Sequence, residues 1–171
     1  ALWALRDSRR NSPMSASTYS SALSALLFLR WMDFQEGELA ARAEFDGAVY
    51  EPLFPPHLRW RYWCESCSVD LQNMVFGQLE EALLQGAAKS NPLAAYLRPF
   101  ASPVKGLSGW EPKSLHELVH WVASQPYETA RGRQQLLQTF DRFLEDDTRA
   151  GFDHRTPDPI AQLMAALAGP V

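Results

Sequence analysis

The strongest constraint on the fold is an apolar segment with helical spacing near the start of the chain. Residues 15–35 begin with Ser and Thr, which favour a helix N-terminus, and between Ala25 and Met32 only Arg30 is charged. A helix that is apolar on nearly all sides is expected to lie at the centre of a domain. Its buried face is predicted to carry Leu23, Leu26, Leu27, Trp31 and Phe34. We therefore predict a central helix, which residues 38–45 can continue up to a turn at Asp46-Gly47.

Helical spacing also dominates the rest of the chain. We predict helices over residues 69–85, 130–147 and 157–168, a short helix from Asn91-Pro92 to about Leu97, and a helix capped by Ser114 with Glu117 three residues later. Residues 98–112, rich in Pro, Gly and Ser, are predicted to form a loop.

Residues 48–67 differ from their surroundings because they hold three prolines and five aromatic residues. Adjacent prolines at 55 and 56 exclude a helix interior there, so we predict an irregular segment with a short helical turn at His57–Trp63. No stretch of the chain alternates polar and apolar residues convincingly over five positions. The fold class predicted is all-α, an irregular bundle of about six or seven helices with an aromatic, proline-rich connecting segment.

The charge balance limits the classes of function. The 171 residues carry a net charge of −4, which argues against a domain that mainly coats nucleic acid, because phosphate neutralisation needs clustered Lys and Arg. Solvated surface is the simpler explanation for each local arginine cluster. These clusters are Arg6 with Arg9 and Arg10, Arg59 with Arg61, and Arg131 with Arg133.

Chain length and cysteine content limit the number of domains and the cellular compartment that can be expected. A chain of this size is one domain, or one domain with a piece of a neighbour. It has two cysteines and no signal-peptide pattern, and its most apolar stretch, residues 23–29, is far shorter than a membrane span. We therefore expect a reducing cytoplasm and no membrane association.

Two groups of residues could in principle bind a metal ion. Cys64 and Cys67 have the spacing of half a zinc site, but no second cysteine pair is present, and two ordinary thiols are the better interpretation. His116-Glu117-Leu118-Val119-His120 fits the His-Glu-x-x-His pattern of metalloproteases. The pattern lies at the start of its predicted helix and has no obvious third ligand, so we predict no metal site and keep a metalloprotease as the third hypothesis.

The end of the chain resembles a junction in the N6-adenine DNA methyltransferases of type I restriction-modification systems, the M subunits. In that family a helix and a charged loop are followed by Gly, an aromatic residue and Thr-Pro, and then by an amphipathic helix and Pro. The residues that match are Gly151, Thr156, Pro157, Ile160, Leu163, Met164, Leu167 and Pro170. The run Leu26–Phe34 is similar to the hydrophobic N-terminal helix of the family. The chain departs from the pattern at His154, where the family usually has an aromatic residue.

The resemblance implies a division at about residue 150. Residues 1–150 would be the N-terminal helical domain, and residues 151–171 would be the start of a methyltransferase catalytic domain that is otherwise absent. In the family Thr-Pro contributes to binding S-adenosylmethionine, which places Thr156 and Pro157 at the cofactor. The glycine-rich cofactor loop and the Asn/Asp-Pro-Pro-aromatic loop are not present in these 171 residues. We therefore expect no catalytic residue and no bound cofactor in this chain alone.

The same resemblance implies partners. The full-length enzyme would methylate adenine in DNA, and this domain would dock DNA and the specificity subunit, with the restriction subunit as a further candidate partner. The residues expected to contact DNA are Arg59, Arg61, Arg131 and Arg133. The alternative is a stand-alone helical protein-interaction module, in which Thr156 and Pro157 only start a helix.

Overall fold

Six α-helices form most of the part of the chain that the computed structural model describes, which is residues 16–64 and 69–149 with Ala161 and Ala165. They are α1 (Ala16–Phe45), α2 (Trp60–Trp63), α3 (Val69–Gly86), α4 (Ala101–Gly106), α5 (Pro112–Ala123) and α6 (Ala130–Arg149). Short 3-10 turns lie at Pro56–Leu58, Ala94–Tyr96, Arg98–Phe100 and Leu107–Gly109. These residues include no β-strand, and the all-α prediction is confirmed.

The helix α1 is the centre of the fold, as its sequence predicts. Its residues from Ala22 to Leu29 are all buried, and α1 packs against α2, α4, α5 and α6. The helix continues through Gly37 without a break and ends at the predicted Asp46-Gly47 turn, where Gly47 has a φ of +68°. A helix that contacts four others has almost no solvated face over this length, which explains its near-continuous apolar sequence.

Aromatic side chains join the other elements to this centre. The Phe28 ring of α1 stacks on Phe100, with ring centroids 3.8 Å apart and an angle of 3° between the planes. Trp63 of α2 meets Phe76 of α3 edge to face at 5.4 Å. Trp63 also donates its indole N–H to the Leu58 carbonyl at 3.1 Å, so a large apolar ring is buried with its polar group satisfied. The proline-rich segment is therefore anchored by its aromatic residues.

The predicted loop at residues 98–112 is wrong, because most of this stretch is helical. Pro99 and Pro103 lie in the first turns of their helical segments, where a backbone N–H has no helical partner and its absence costs nothing. Phe100, Val104 and Leu107 are buried at intervals of four and three residues, which is helical spacing. The helical spacing of the apolar residues therefore outweighs the proline and glycine content.

The predicted start of α5 is also wrong. The helix begins at Pro112, and its cap is Glu111, whose carboxylate accepts the backbone N–H groups of Lys113 and Ser114 at 3.1 Å. Ser114 lies inside the helix and donates its hydroxyl to the same carboxylate. A glutamate followed by proline at the first helical position therefore replaces the expected capping box of Ser114 and Glu117.

The short helix predicted after Asn91-Pro92 consists of 3-10 turns, and Asn91 starts them by accepting the Leu93 N–H at 2.9 Å. The helix predicted over residues 157–168 lies outside the described residues except for Ala161 and Ala165, which are helical. Among the helices that the structure describes, none has the length and apolar content needed to cross a membrane.

Candidate functional site

One polar face interrupts the apolar surface of α1. Arg30, Asp33, Phe34 and Gly37 are spaced three and four residues apart, so they lie on the same side of the helix. Asp33 is buried, with only 5% of its side chain exposed, and it accepts a hydrogen bond from Nε of Arg61 at 3.0 Å. The second carboxylate oxygen of Asp33 lies 3.7 Å from Nη1 of Arg30. A buried carboxylate is stable here because two guanidinium groups compensate its charge.

Arg30 connects this face to the loop between α5 and α6. Its Nη2 donates to the Glu128 carboxylate at 3.0 Å, and its guanidinium lies 5.5 Å from the centre of the Tyr127 ring. Tyr127 is fully buried, and its hydroxyl donates to the Leu27 carbonyl at 3.2 Å. Burial raises the pKa of Tyr127 well above its usual range, so the phenol remains a neutral hydrogen-bond donor.

Arg133 approaches the same face from α6. It donates to the Tyr127 carbonyl at 2.8 Å, and its guanidinium lies 5.6 Å from the centre of the Phe34 ring. Arg61 and Arg133, far apart in sequence, therefore contact neighbouring residues of α1, Asp33 and Phe34, and Arg30 lies on the same side of the helix. We call this set the α1 arginine face: Arg30, Arg61 and Arg133, with the carboxylates of Asp33 and Glu128.

The α1 arginine face contains more guanidinium groups than carboxylates. It holds three guanidinium groups against two carboxylates, which leaves an excess of positive charge. Arg61 uses Nε and Nη2 for its contacts with Asp33, and its side chain is 55% exposed. A guanidinium has five donors in a fixed plane, so the outer edge of Arg61 can reach a phosphate while its inner edge stays bound.

A second buried carboxylate lies on α1 beside this face. Glu36 accepts the Leu53 backbone N–H and, at 3.3 Å, the hydroxyl of Tyr50, which in turn accepts a hydrogen bond from the Asn91 amide at 3.2 Å. Burial raises the pKa of Glu36, and the Leu53 N–H and the charge of Arg59 oppose this only in part. Burial also raises the pKa of the Tyr50 hydroxyl. Glu36 thus fastens the segment after α1 back onto the helix.

Arg59 and Arg131 lie apart from the α1 arginine face. Arg59 donates through Nε to the Phe54 carbonyl at 3.3 Å and lines an open groove of about 690 Å³ between the proline-rich segment and α3. Arg131 is exposed on α6, and a separation of two helical residues points it away from Arg133. The structure therefore brings together two of the four arginines predicted to contact DNA. The DNA contact itself stays a prediction for all four.

The metal-binding patterns can be located in part. The rings of His116 and His120 lie on one face of α5 with centroids 4.5 Å apart, and Nδ1 of His116 is buried without a hydrogen-bond partner. Cys64 is buried at the end of α2, whereas Cys67 lies outside the described residues. Over residues 16–64 and 69–149, no group of three or more His, Cys, Asp or Glu side chains could hold a metal ion.

The residues predicted at the cofactor, Thr156 and Pro157, lie outside the described residues, as does the proposed boundary at residue 150. Their role stays a prediction. The sequence reasoning missed Arg30, Asp33 and Glu36 as a site. The available signal is their spacing, because three charged residues at intervals of three within an otherwise buried helix must find partners.

Comparisons with protein-family models, with curated proteins and with solved structures find no match to this chain. Its assignment therefore depends on its own residues and their arrangement.

Proposed function

We propose that this chain is the N-terminal helical domain of an S-adenosylmethionine-dependent N6-adenine DNA methyltransferase, similar to the M subunits of type I restriction-modification systems. The observation that carries the proposal is the pattern of residues from Gly151 through Thr156 and Pro157 to Pro170. The position of α1 supports it, because the run Leu26–Phe34 that resembles the N-terminal helix of the family lies at the centre of the domain.

In this proposal the chemistry belongs to the full-length enzyme. S-adenosylmethionine would bind with Thr156 near its methionine part, since a hydroxyl and free N–H groups at a helix start suit a carboxylate. The glycine-rich and Asn/Asp-Pro-Pro-aromatic loops that complete the cofactor and adenine sites would follow this chain. The present domain would hold DNA and the specificity subunit in a cytoplasmic complex.

The α1 arginine face is the proposed DNA contact of this domain. Its charge excess is small, in keeping with a chain whose net charge is −4, so it would help to hold the duplex rather than supply most of the affinity. Arg131, exposed on the opposite side of α6, and Arg59, in its groove, would make separate contacts with DNA. Such phosphate contacts position a protein on DNA and do not read its sequence.

The first test is the coding sequence after Val171. The proposal requires an open reading frame that continues into a glycine-rich loop and an Asn/Asp-Pro-Pro-aromatic motif. A stop codon at that point contradicts it. Calorimetry provides the second test, because the isolated chain should show no appreciable binding of S-adenosylmethionine, and micromolar binding would contradict an incomplete site.

DNA contact can be tested in the full-length protein with single arginine variants. Arg131→Ala should weaken binding about equally for different DNA sequences and lower the dependence of log K on log salt by about one unit. Arg42→Ala is the matched control, because Arg42 is an exposed arginine of α1 paired with Asp46 at 4.0 Å. An equal effect of both variants, or no effect of Arg131→Ala, would argue against the predicted contact of Arg131 with DNA.

A stand-alone protein-interaction module is the second candidate function. The observation that favours it is the exposure of Phe45 and Val49 at the end of α1, since large apolar side chains in solvent are typical of an interaction surface. The stop codon described above would support this candidate.

A further inference from the structure

The end of α1 presents apolar side chains to solvent. Phe45 is 91% exposed and Val49 is 97% exposed, and no residue from 37 to 52 is buried. Ala41 lies one helical turn before Phe45 and is exposed as well. We call residues 41–49 the α1 tip. Burying the exposed ring of Phe45 would remove apolar surface from water, so the α1 tip has a driving force for association.

Backbone hydrogen bonds close the helix at the α1 tip. Ala48 donates its N–H to the Ala43 carbonyl at 2.7 Å, and Gly47 donates to the Glu44 carbonyl at 3.1 Å. With the left-handed conformation of Gly47, these bonds form a Schellman motif, which closes the helix and fixes the direction of the chain. Phe45 is therefore held on a preorganised scaffold, which lowers the entropic cost of binding, and Val49 follows directly after the motif.

Charge restricts what can cover the α1 tip. Glu38, Glu44 and Asp46 surround the apolar residues, and the arginine among them, Arg42, lies 4.0 Å from Asp46. This excess of negative charge repels DNA phosphates. It also opposes a symmetric contact with a second copy, which would place acidic groups against acidic groups. The complementary surface is an apolar pocket with a rim of lysine or arginine on a different protein.

We propose that the α1 tip docks such a protein partner, with Phe45 and Val49 as the buried anchors and Glu38 and Glu44 facing the basic rim. The inference rests on the proposed function for the identity of the partner, which is the specificity subunit. The two ends of α1 then have separate tasks, because the α1 arginine face attracts phosphate and the acidic tip excludes it.

The experiment measures the affinity of the purified full-length protein for the purified specificity subunit. Phe45→Ser combined with Val49→Ser should weaken binding at least about tenfold, as expected when central anchors are lost. Glu38→Lys combined with Glu44→Lys should weaken it less, with a larger effect at low salt. Leu84→Ser is the matched control, because Leu84 is a half-exposed apolar residue of α3, and its change should leave the affinity unaltered.

The outcomes separate this inference from the proposed function. If the wild-type protein does not bind the specificity subunit, both fall. If it binds and the Phe45/Val49 variant binds equally well, the docking site is wrong and the proposed function stands. A variant that instead abolishes self-association in sedimentation, with subunit binding intact, would make the surface a homotypic contact and overturn the inference. Unchanged melting temperatures should accompany the expected loss, because both side chains lie in solvent.

Discussion

The two halves of α1 have the same secondary structure and opposite environments. From Tyr19 to Glu36 the helix is largely buried, and its charged residues have partners on other segments. From Gly37 to Phe45 no residue is buried, and Phe45 itself is almost wholly exposed. Both halves consist of residues that favour or tolerate helix, so the helix continues across the boundary. The comparison shows that local sequence sets the helix, whereas contacts with other segments decide which half becomes core.

The polar residues of α1 distinguish its buried half from its exposed half more clearly than the apolar residues do. Asp33 and Glu36 each attract a distant part of the chain, the guanidinium of Arg61 in one case and the backbone of Leu53 in the other. These contacts fold the proline-rich segment back against the buried half of α1. The exposed half contains acidic residues too, but they lie in solvent, where they place no demand on the fold.

The largest expected effect comes from truncating the same residue type in each half. Phe28→Ala should lower the free energy of unfolding by about 3–5 kcal/mol, because it removes a fully buried ring that stacks on Phe100. Phe45→Ala should change it by less than about 0.5 kcal/mol, because the ring contacts mainly water. Urea denaturation of both variants measures the difference. Similar losses in the two variants would show that the halves do not differ as described.

A smaller difference is expected between two aspartates. Asp33→Ala should lower the free energy of unfolding by about 1–3 kcal/mol. It removes a buried carboxylate that Arg61 and Arg30 contact, so both guanidinium groups lose this partner. Asp46→Ala breaks only the exposed pair with Arg42 and should have little effect. The same urea series provides the measurement. A loss for Asp46→Ala equal to that for Asp33→Ala would contradict the burial argument.

The all-α class and the central position of α1 were predictable from hydrophobic spacing alone. Two local predictions failed because they relied on residue types that favour loops or helix caps, whereas burial and hydrogen bonding favoured a different local structure. Prolines at 99 and 103 suggested a loop, yet they occupy first-turn positions in helical segments whose apolar residues are buried. Ser114 suggested a cap, yet Glu111 is the cap and Pro112 starts the helix three residues earlier than predicted.

The candidate site was less predictable than the fold. Arg61 and Arg133 were identifiable as members of arginine pairs, but their contacts with Asp33 and Phe34 depend on how α2 and α6 pack on α1, which no local pattern encodes. The exposure of Phe45 was equally unpredictable, because its helical spacing is the same as that of a core residue. Sequence periodicity identifies a face of a helix but does not say whether another element covers it.

The smallest effect concerns the pH dependence that Glu36 contributes to the buried half. Burial raises its pKa above the ordinary value of 4.5, so between the two pKa values the folded state binds more protons than the unfolded state. The contribution of Glu36 to stability is therefore fully present below about pH 4.5 and is lost as the pH rises through the folded-state pKa. Glu36→Gln removes this titration while its amide oxygen can still accept the Leu53 N–H.

Thermal or urea unfolding of the wild-type protein and of Glu36→Gln, measured from pH 4 to pH 8, tests this prediction. The unfolding free energy of the wild type minus that of the variant should fall as the pH rises through this interval. The control is Glu38→Gln, which removes an exposed carboxylate from the other half of α1 and has no contact with Leu53 to lose. A difference between wild type and Glu36→Gln that is constant with pH would mean that Glu36 is as well solvated as the acidic residues of the exposed half. The two halves of α1 would then differ in the burial of their apolar side chains but not in the solvation of their carboxylates.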